Sequence, residues 1–462
     1  MHTPRLRPAA LGALALSGLL CGEGIALAGD PTVGEDGYVH VAPNGTVLGK
    51  DPYYPTDGNG GYDVGDYTLA LDYHPDSGEL QGKATIAATA KQVLSRFDLD
   101  LHGLEVTAVR VDGQDAAFAR EGEHELVITP AQQLAEGAKF TVEVDYHGVP
   151  AALPSERGDA GWQRSRSSGA FAVGAPHSAP TWFPVNDTSA DKATVHLSVT
   201  APEGWSVVAN GVRTSPTSWA EETPVAPSAI AVGIDRWTTD EAELPGGVPV
   251  LNAYAPDTPG APELAARLPE VIEFLSSKMG AYPQKAAGGI FRADAAGFEQ
   301  GTQSRPVFGA EAGLPDLVYA NAFQWWGNGV TIKMWKDQPL VESHARYAVW
   351  LWDEAKEGAN LDQRYQQILD EVGDDPAFWS RKLSDPGAGQ EFAAADKGVL
   401  MVHALRKRIG DEKFFKVLRG FPSTNRGANQ GWHDWELYVG AVANTDLKDF
   451  YEAWVEGTTR PS

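Results

Sequence analysis

The stretch Gly297-Phe298-Glu299-Gln300-Gly301-Thr302-Gln303-Ser304-Arg305-Pro306, with Leu317-Val318-Tyr319-Ala320-Asn321-Ala322-Phe323-Gln324-Trp325-Trp326-Gly327 after it, decides how this chain is read. Its second part places apolar residues at three- and four-residue steps from Leu317 to Trp326, the spacing of a helix with a buried face. Similar spacing returns downstream over Leu340 to Lys356, Phe392 to Ile409, Asp411 to Arg419 and Leu447 to Val455. Gly410 before Asp411 reads as a helix stop and a new N-cap. Upstream, Glu263 to Met279 is helical and Gly280 closes it.

Before the Pro259-Gly260 breaker the periodicity is that of strands. Tyr67 to Tyr73 and Lys83 to Thr89 alternate around the turn signal Pro75-Asp76-Ser77-Gly78, which reads as a hairpin. Phe97 to Leu101, Val106 to Val111, Glu125 to Ile128, Phe140 to Tyr146, Ala193 to Thr200 and Trp205 to Ala209 continue in that style. The expectation is an all-β, sandwich-like domain over residues 62–254 and a mainly helical domain over 255–462. Residues 29–61, rich in Gly, Pro, Asp and Tyr without periodicity, read as a flexible lead-in. No repeat of 20–50 residues supports a solenoid or propeller.

Residues 1–28 have the pattern of an export signal: Arg5 and Arg7, a short apolar run from Ala9 to Leu20, and Ala26-Leu27-Ala28 at the cleavage position. Gly22 and Glu23 cut the run too short to span a membrane, and no later segment reaches that length. Cys21 follows Leu20 rather than the small residue that lipid attachment needs, so the expected product is secreted and extracellular without an anchor. Cleavage would remove the only Cys, leaving the mature chain to rely on its core rather than on disulfides. With 62 acidic against 37 basic residues, the chain lacks the surplus of cations that a nucleic-acid partner demands.

The opening stretch resembles the aminopeptidase N family of zinc metallopeptidases, whose zinc helix reads close to L-V-H-E-L-A-H-Q-W-F-G. Further matches run in order along the chain. Tyr62-Asp63-Val64, Asp98 to Leu101, Ala179 to Pro184 with Asn186-Asp187 and Asp191-Lys192-Ala193, and Val208 to Gly211 are similar to the family's β domain. Trp335-Lys336-Asp337, Tyr347 with Trp350 to Trp352, Lys397-Gly398 and His403 to Arg406 are similar to its helical part. The resemblance implies a gluzincin fold, with a thermolysin-like helical peptidase domain behind the β domain.

Active members use H-E-x-x-H followed after 18 residues by Glu, because two imidazoles one helical turn apart and a carboxylate hold zinc. Here those positions are Tyr319, Phe323 and Glu342, with the 18-residue interval kept. A benzene ring cannot donate to zinc, and one carboxylate holds it poorly. The family's general base falls on Ala320, its oxyanion-stabilising Tyr on Ala395, and the Glu that captures the substrate amine on Gly301. Glu299 stands two residues from Gly301 and is the candidate substitute. The expected remnant pocket is Glu299, Tyr319, Phe323, Gln324 and Glu342, with no catalytic residue, no cofactor and no metal. Glu342, left without a cation, should pair with Tyr319 or a Lys or Arg, or be raised in pKa if buried.

The ten His of the mature chain do not restore the ligands. None forms a pair with metal-ligand spacing, and His344, two residues from Glu342, points to a different side of its helix. Gly-x-Ser-x-Gly and nucleotide loops are missing, and Asp353-Glu354 and Asp374-Asp375 read as solvated charges. The leading expectation is a secreted, aminopeptidase-like pseudoenzyme that binds a peptide or an extracellular protein. One alternative is an active metallopeptidase with an altered site, which would require zinc. Another is a polysaccharide-binding protein using Trp325, Trp326, Trp335, Trp350 and Trp352 as a platform.

Overall fold

The computed structural model describes residues 51–155, 158–293 and 300–461. The export signal with Cys21, the lead-in up to residue 50, and Gly297, Phe298 and Glu299 lie outside the described residues.

The β-rich first part is organised by the strand Tyr62–His74, which pairs antiparallel with Glu79–Ala90 and parallel with Ala193–Thr200. Tyr62 and Val64 are buried, and after a register shift at Val64/Asp66 the buried set continues as Tyr67, Leu69, Leu71 and Tyr73. The extra residue of a bulge resets the two-residue alternation, so both halves of the strand face one core. These strands belong to an eight-stranded sheet that covers a five-stranded sheet containing Ala170–Val173 and Ala231–Asp235. A three-stranded sheet of Phe97–Asp100, Ala117–Glu121 and Glu125–Thr129 lies beside them.

A helical part follows this β-rich part. Between them lies a four-stranded sheet of Thr238–Leu244, Val248–Tyr254, Ala287–Phe291 and Val307–Phe308, which straddles residue 254. Alternation along its strands sends Leu251, Ala253, Ile290 and Val307 into the β-domain core and Val250, Tyr254, Phe291 and Phe308 into the helical core. One sheet therefore gives a face to each core.

The segment Thr302-Gln303-Ser304-Arg305 pins the two parts together. The Arg305 guanidinium is buried, donates to the carbonyl oxygens of Ala209 (2.6 Å), Gly211 (2.7 Å) and Leu251 (3.0 Å), and lies over the Trp219 ring. Gln303 donates to Thr223 O, while Ser304 Oγ accepts from Gly211 N. Lys192 reaches the other way, to Gly427 O at 2.7 Å.

Several expectations need correction. The helix expected over Leu317 to Trp326 spans Leu314–Ala322, so Phe323 through Trp326 lie in the turns beyond it. Residues 51–61 are not an exposed lead-in: Asn59 to Gly61 are buried, and the segment bonds to both parts of the molecule. All five Trp of the suggested sugar platform are buried, because they fill the helical core. Helices Leu361–Val372 and Trp432–Ala443 were not anticipated. Among the described residues no helix is long and apolar enough to cross a membrane.

His344 faces away from Glu342, as its position on the helix requires. Its ring lies 3.8 Å from that of Trp326 and within 3° of parallel, and its Nδ1 donates to Leu340 O at 2.8 Å. Burial pushes its pKa down to about 4. The folded protein keeps this base neutral while the unfolded chain takes up a proton below its ordinary value of 6.5, so stability falls as pH drops from 6.5 to about 4. The contribution is on the order of 3 kcal/mol. Chemical denaturation across that range should show a shallower loss in His344→Gln than in the parent, and equal slopes would refute the assignment. Arg305→Met should cost about 3–5 kcal/mol by the same measurement, since three buried carbonyls lose their donor; an unchanged midpoint would show that the clamp is dispensable.

Candidate functional site

The helix Leu314–Ala322 starts where the Asp316 carboxylate accepts from Gly313 N at 2.7 Å, with Pro315 in the first turn. Leu317, Val318 and Ala320 bury one side in the helical core, which sets the direction of Tyr319 on the other. After the last turn, Asn328 N bonds back to Phe323 O, and Gly329 N to Gln324 O, folding the chain around the Phe323 ring.

The second helix, Gln338–Trp352, carries Glu342, which is fully buried. Tyr319 donates its hydroxyl to Glu342 Oε2 at 2.8 Å. Residues four positions away on either side complete the bracket: Gln338 Nε2 lies 3.4 Å from Oε1, and Arg346 Nε 3.5 Å from Oε2. The Arg346 guanidinium also sits 5.1 Å over the Tyr319 ring. Burial alone would lower the Arg346 pKa, but Glu342 and then Tyr319 outweigh that and hold it above its ordinary value. The expected pairing of Glu342 with Tyr319 and an Arg is thus present.

Tyr319, Phe323 and Glu342 come together on the wall of a narrow cleft of about 80 Å³. The helical part also supplies Trp335, Val341 and Phe392, and the β domain supplies Pro176 and Ala226. Tyr319 and Phe323 meet edge to face at 5.3 Å. Phe323 fills the space in front of Gly301, where an added Cβ would lie 2.4 Å from Phe323 Cβ. Gly327, at φ 134°, leaves room on the other side, with its own hypothetical Cβ 2.5 Å from Phe323 Cδ1. Gln300 lines the cleft as well, and its Oε1 is buried without a hydrogen-bond partner among the described residues.

Other sequence candidates lie elsewhere. Gln324, counted with the remnant pocket, does not line the cleft; its amide accepts from Ser304 N (2.8 Å) and donates to Thr302 O (2.9 Å), holding the interdomain segment against the helix end. Ala320 is fully buried in the core, and Ala395 opens the helix Ala395–Ile409 without lining the cleft. Sequence reasoning missed Arg346, although its four-residue offset from Glu342 was an available signal. Phe392, Trp335 and Gly327 had none, because only the tertiary fold brings them to the cleft.

Comparison with known proteins adds to this geometry. Residues 64–223 match the Peptidase M1 N-terminal domain. An aminopeptidase N of Streptomyces lividans is 25% identical over 313 residues, which is 57% of this chain and 35% of that protein. An aminopeptidase N of Lactococcus lactis subsp. lactis is 28% identical over 154 residues, 30% of this chain and 18% of that protein. The chain thus spans about a third or less of these curated relatives. Crystal structures of an M1 zinc metallopeptidase from Deinococcus radiodurans cover far more. A mutant with a Tyr-Ser-Ala substrate superposes with a TM-score of 0.81 at 26% identity, over 89% of this chain and 98% of that one. Another of that metallopeptidase gives 0.80 at 25% identity, over 89% and 97%. With a β-rich part, a helical part and a cleft between them, this chain has the two-domain fold of the M1 metallopeptidases and is similar to the aminopeptidase N family.

Proposed function

We propose that this protein is a secreted member of its family whose cleft has given up zinc chemistry and binds a peptide or a segment of an extracellular protein without cleaving it. The observation that carries the reading is the hydrogen bond from Tyr319 to Glu342. In an active site of this family that carboxylate would serve the metal; here a phenol, an amide and a guanidinium answer it instead.

The donor set does not fit zinc. Phe323 has no donor atom, the Tyr319 hydroxyl is engaged in its hydrogen bond to Glu342, and Glu342 is a single carboxylate. With Ala320 at the general-base position and Ala395 at the oxyanion-stabilising position, neither position can activate water or hold a tetrahedral intermediate. Gly301 fits the same reading, since Phe323 occupies the space that a carboxylate side chain there would need.

What remains suits binding. The cleft is walled by Phe323, Trp335, Val341 and Phe392, and Gln300 Oε1 offers an acceptor among them. An apolar side chain next to a backbone or terminal N–H is the ligand chemistry that such a wall accommodates. The peptide carried by the Deinococcus relative is of this class.

The purified mature protein should release no nitroaniline from aminoacyl-nitroanilides above the buffer rate, with or without added zinc. Chelator-sensitive turnover that Glu342→Gln abolishes would establish the active alternative. Tyr319→Phe should lower stability by about 1–3 kcal/mol in urea, because a buried carboxylate loses a donor. A stability equal to the parent's would mean that Glu342 does not depend on the phenol.

A further inference from the structure

A second group of potential metal ligands lies in the β domain. Asp100, at the end of the strand Phe97–Asp100, is fully buried, and its Oδ2 accepts from Gly58 N (3.1 Å) and Asp187 N (2.7 Å). Glu125, which opens the neighbouring strand Glu125–Thr129 opposite Asp100, and His124 just before it approach from the same sheet. One donor atom from each of Asp100, His124 and Glu125 falls within 4.8 Å of the others, and His124 Nε2 is 3.8 Å from Asp100 Oδ1. Such separations are those of donors on either side of an ion held by bonds of about 2.0–2.4 Å.

The segment before the first strand closes this group. Asp57 Oδ1 lies 3.3 Å and Thr56 O 3.1 Å from His124 Nε2. Asn59 places its side-chain nitrogen between the two carboxylates, 3.4 Å from Asp100 Oδ1 and 3.3 Å from Glu125 Oε2. Both contacts are long, and a half-turn of that amide would present its oxygen instead.

A second, independent observation is a buried carboxyl oxygen beside this group that lacks a hydrogen-bond donor among the described residues. Asp187 is 6% exposed, and its Oδ2 has no hydrogen-bond partner among the described residues. Its backbone N–H donates to Asp100 Oδ2 at 2.7 Å, so its carboxyl stands beside the group. Four carboxyl groups converge here, from Asp57, Asp100, Glu125 and Asp187. The basic groups around them are His124, His177, which pairs with Asp57 at 2.9 Å, and Arg120 toward Glu125.

We propose that Asp100, His124 and Glu125 form a binding site for a divalent metal ion of the zinc or manganese class, closed by Asp57 and Asn59 of the N-terminal segment. One imidazole among several oxygens suits those ions, since calcium and magnesium favour oxygen throughout. The ion would secure a strap that spans both parts of the molecule. Residues 51–59 meet Trp335 N through Asp51 and Asp385 through Tyr53, and Tyr54 stacks on His177 at 4.1 Å. Tyr54 and His177 border a hollow shared with Pro176 and Phe392, which also line the cleft. A metal here would therefore fix one rim of the peptide cleft without entering it.

The test uses the full mature chain, stripped with a chelator and titrated with Zn²⁺ and Mn²⁺ by calorimetry, with thermal unfolding in parallel. About one equivalent of Zn²⁺ or Mn²⁺ should bind and raise Tm. His124→Ala and the isosteric Asp187→Asn should each weaken binding by about tenfold or more, while Glu342→Gln leaves it unchanged. Asp187→Asn keeps the backbone contact to Asp100, so it remains informative if His124→Ala fails to fold. Binding that survives in both variants, binding lost in Glu342→Gln, or no saturable binding would each overturn the proposal.

Discussion

The buried Arg305 guanidinium is the constraint from which the rest of the architecture follows. Its three carbonyl partners come from the β domain and from the sheet shared by both cores. An ion so deeply buried is tolerable only when each donor is met, so the segment 302–305 has one way to sit. Gln324 then ties that segment to the end of the helix Leu314–Ala322. The position of Tyr319 and Phe323 relative to the β domain is thus set by a chain of buried hydrogen bonds rather than by loop preference.

Within this frame the cleft shows a set of mutually adjusted residues. Phe323 fits because residues 301 and 327 are glycines, and Glu342 is satisfied because Tyr319, Gln338 and Arg346 surround it. On the proposed reading these adjustments explain how a family frame can outlive its metal. A carboxylate buried without zinc would be costly alone, and the donors on Tyr319 and Gln338 with the charge of Arg346 offset that cost. Reintroducing imidazoles would then have to displace interactions that already close on themselves. The strap over residues 51–59, with its cluster of carboxylates and imidazoles, adds a second link between the domains at the rim of the same cleft.

Much of this was legible in the sequence. The order of strands and then helices followed from two periodicities, and the family resemblance, with its 18-residue interval from Phe323 to Glu342, pointed to residues that line the cleft. Other features were not. The phase reset at Val64/Asp66 comes from a bulge that alternation alone does not announce, and the helix ends at Ala322 although apolar spacing continues to Trp326. Those later residues are apolar because they fill the core from turns. His124 read as an ordinary surface or core residue, because its partner Asp100 lies across a sheet and metal-ligand spacing along the chain cannot report on neighbours across strands. Residues 51–61 looked unstructured for lack of periodicity, yet they are held by individual side-chain contacts that have no period.

The most direct test of the account is where zinc goes. Crystals of the mature protein soaked in Zn²⁺ and measured at the zinc absorption edge report every bound ion by anomalous scattering. The account predicts no anomalous peak within bonding distance of the Glu342 carboxylate, with the Tyr319 hydroxyl still bonded to it. A peak coordinated by Glu342 would contradict it.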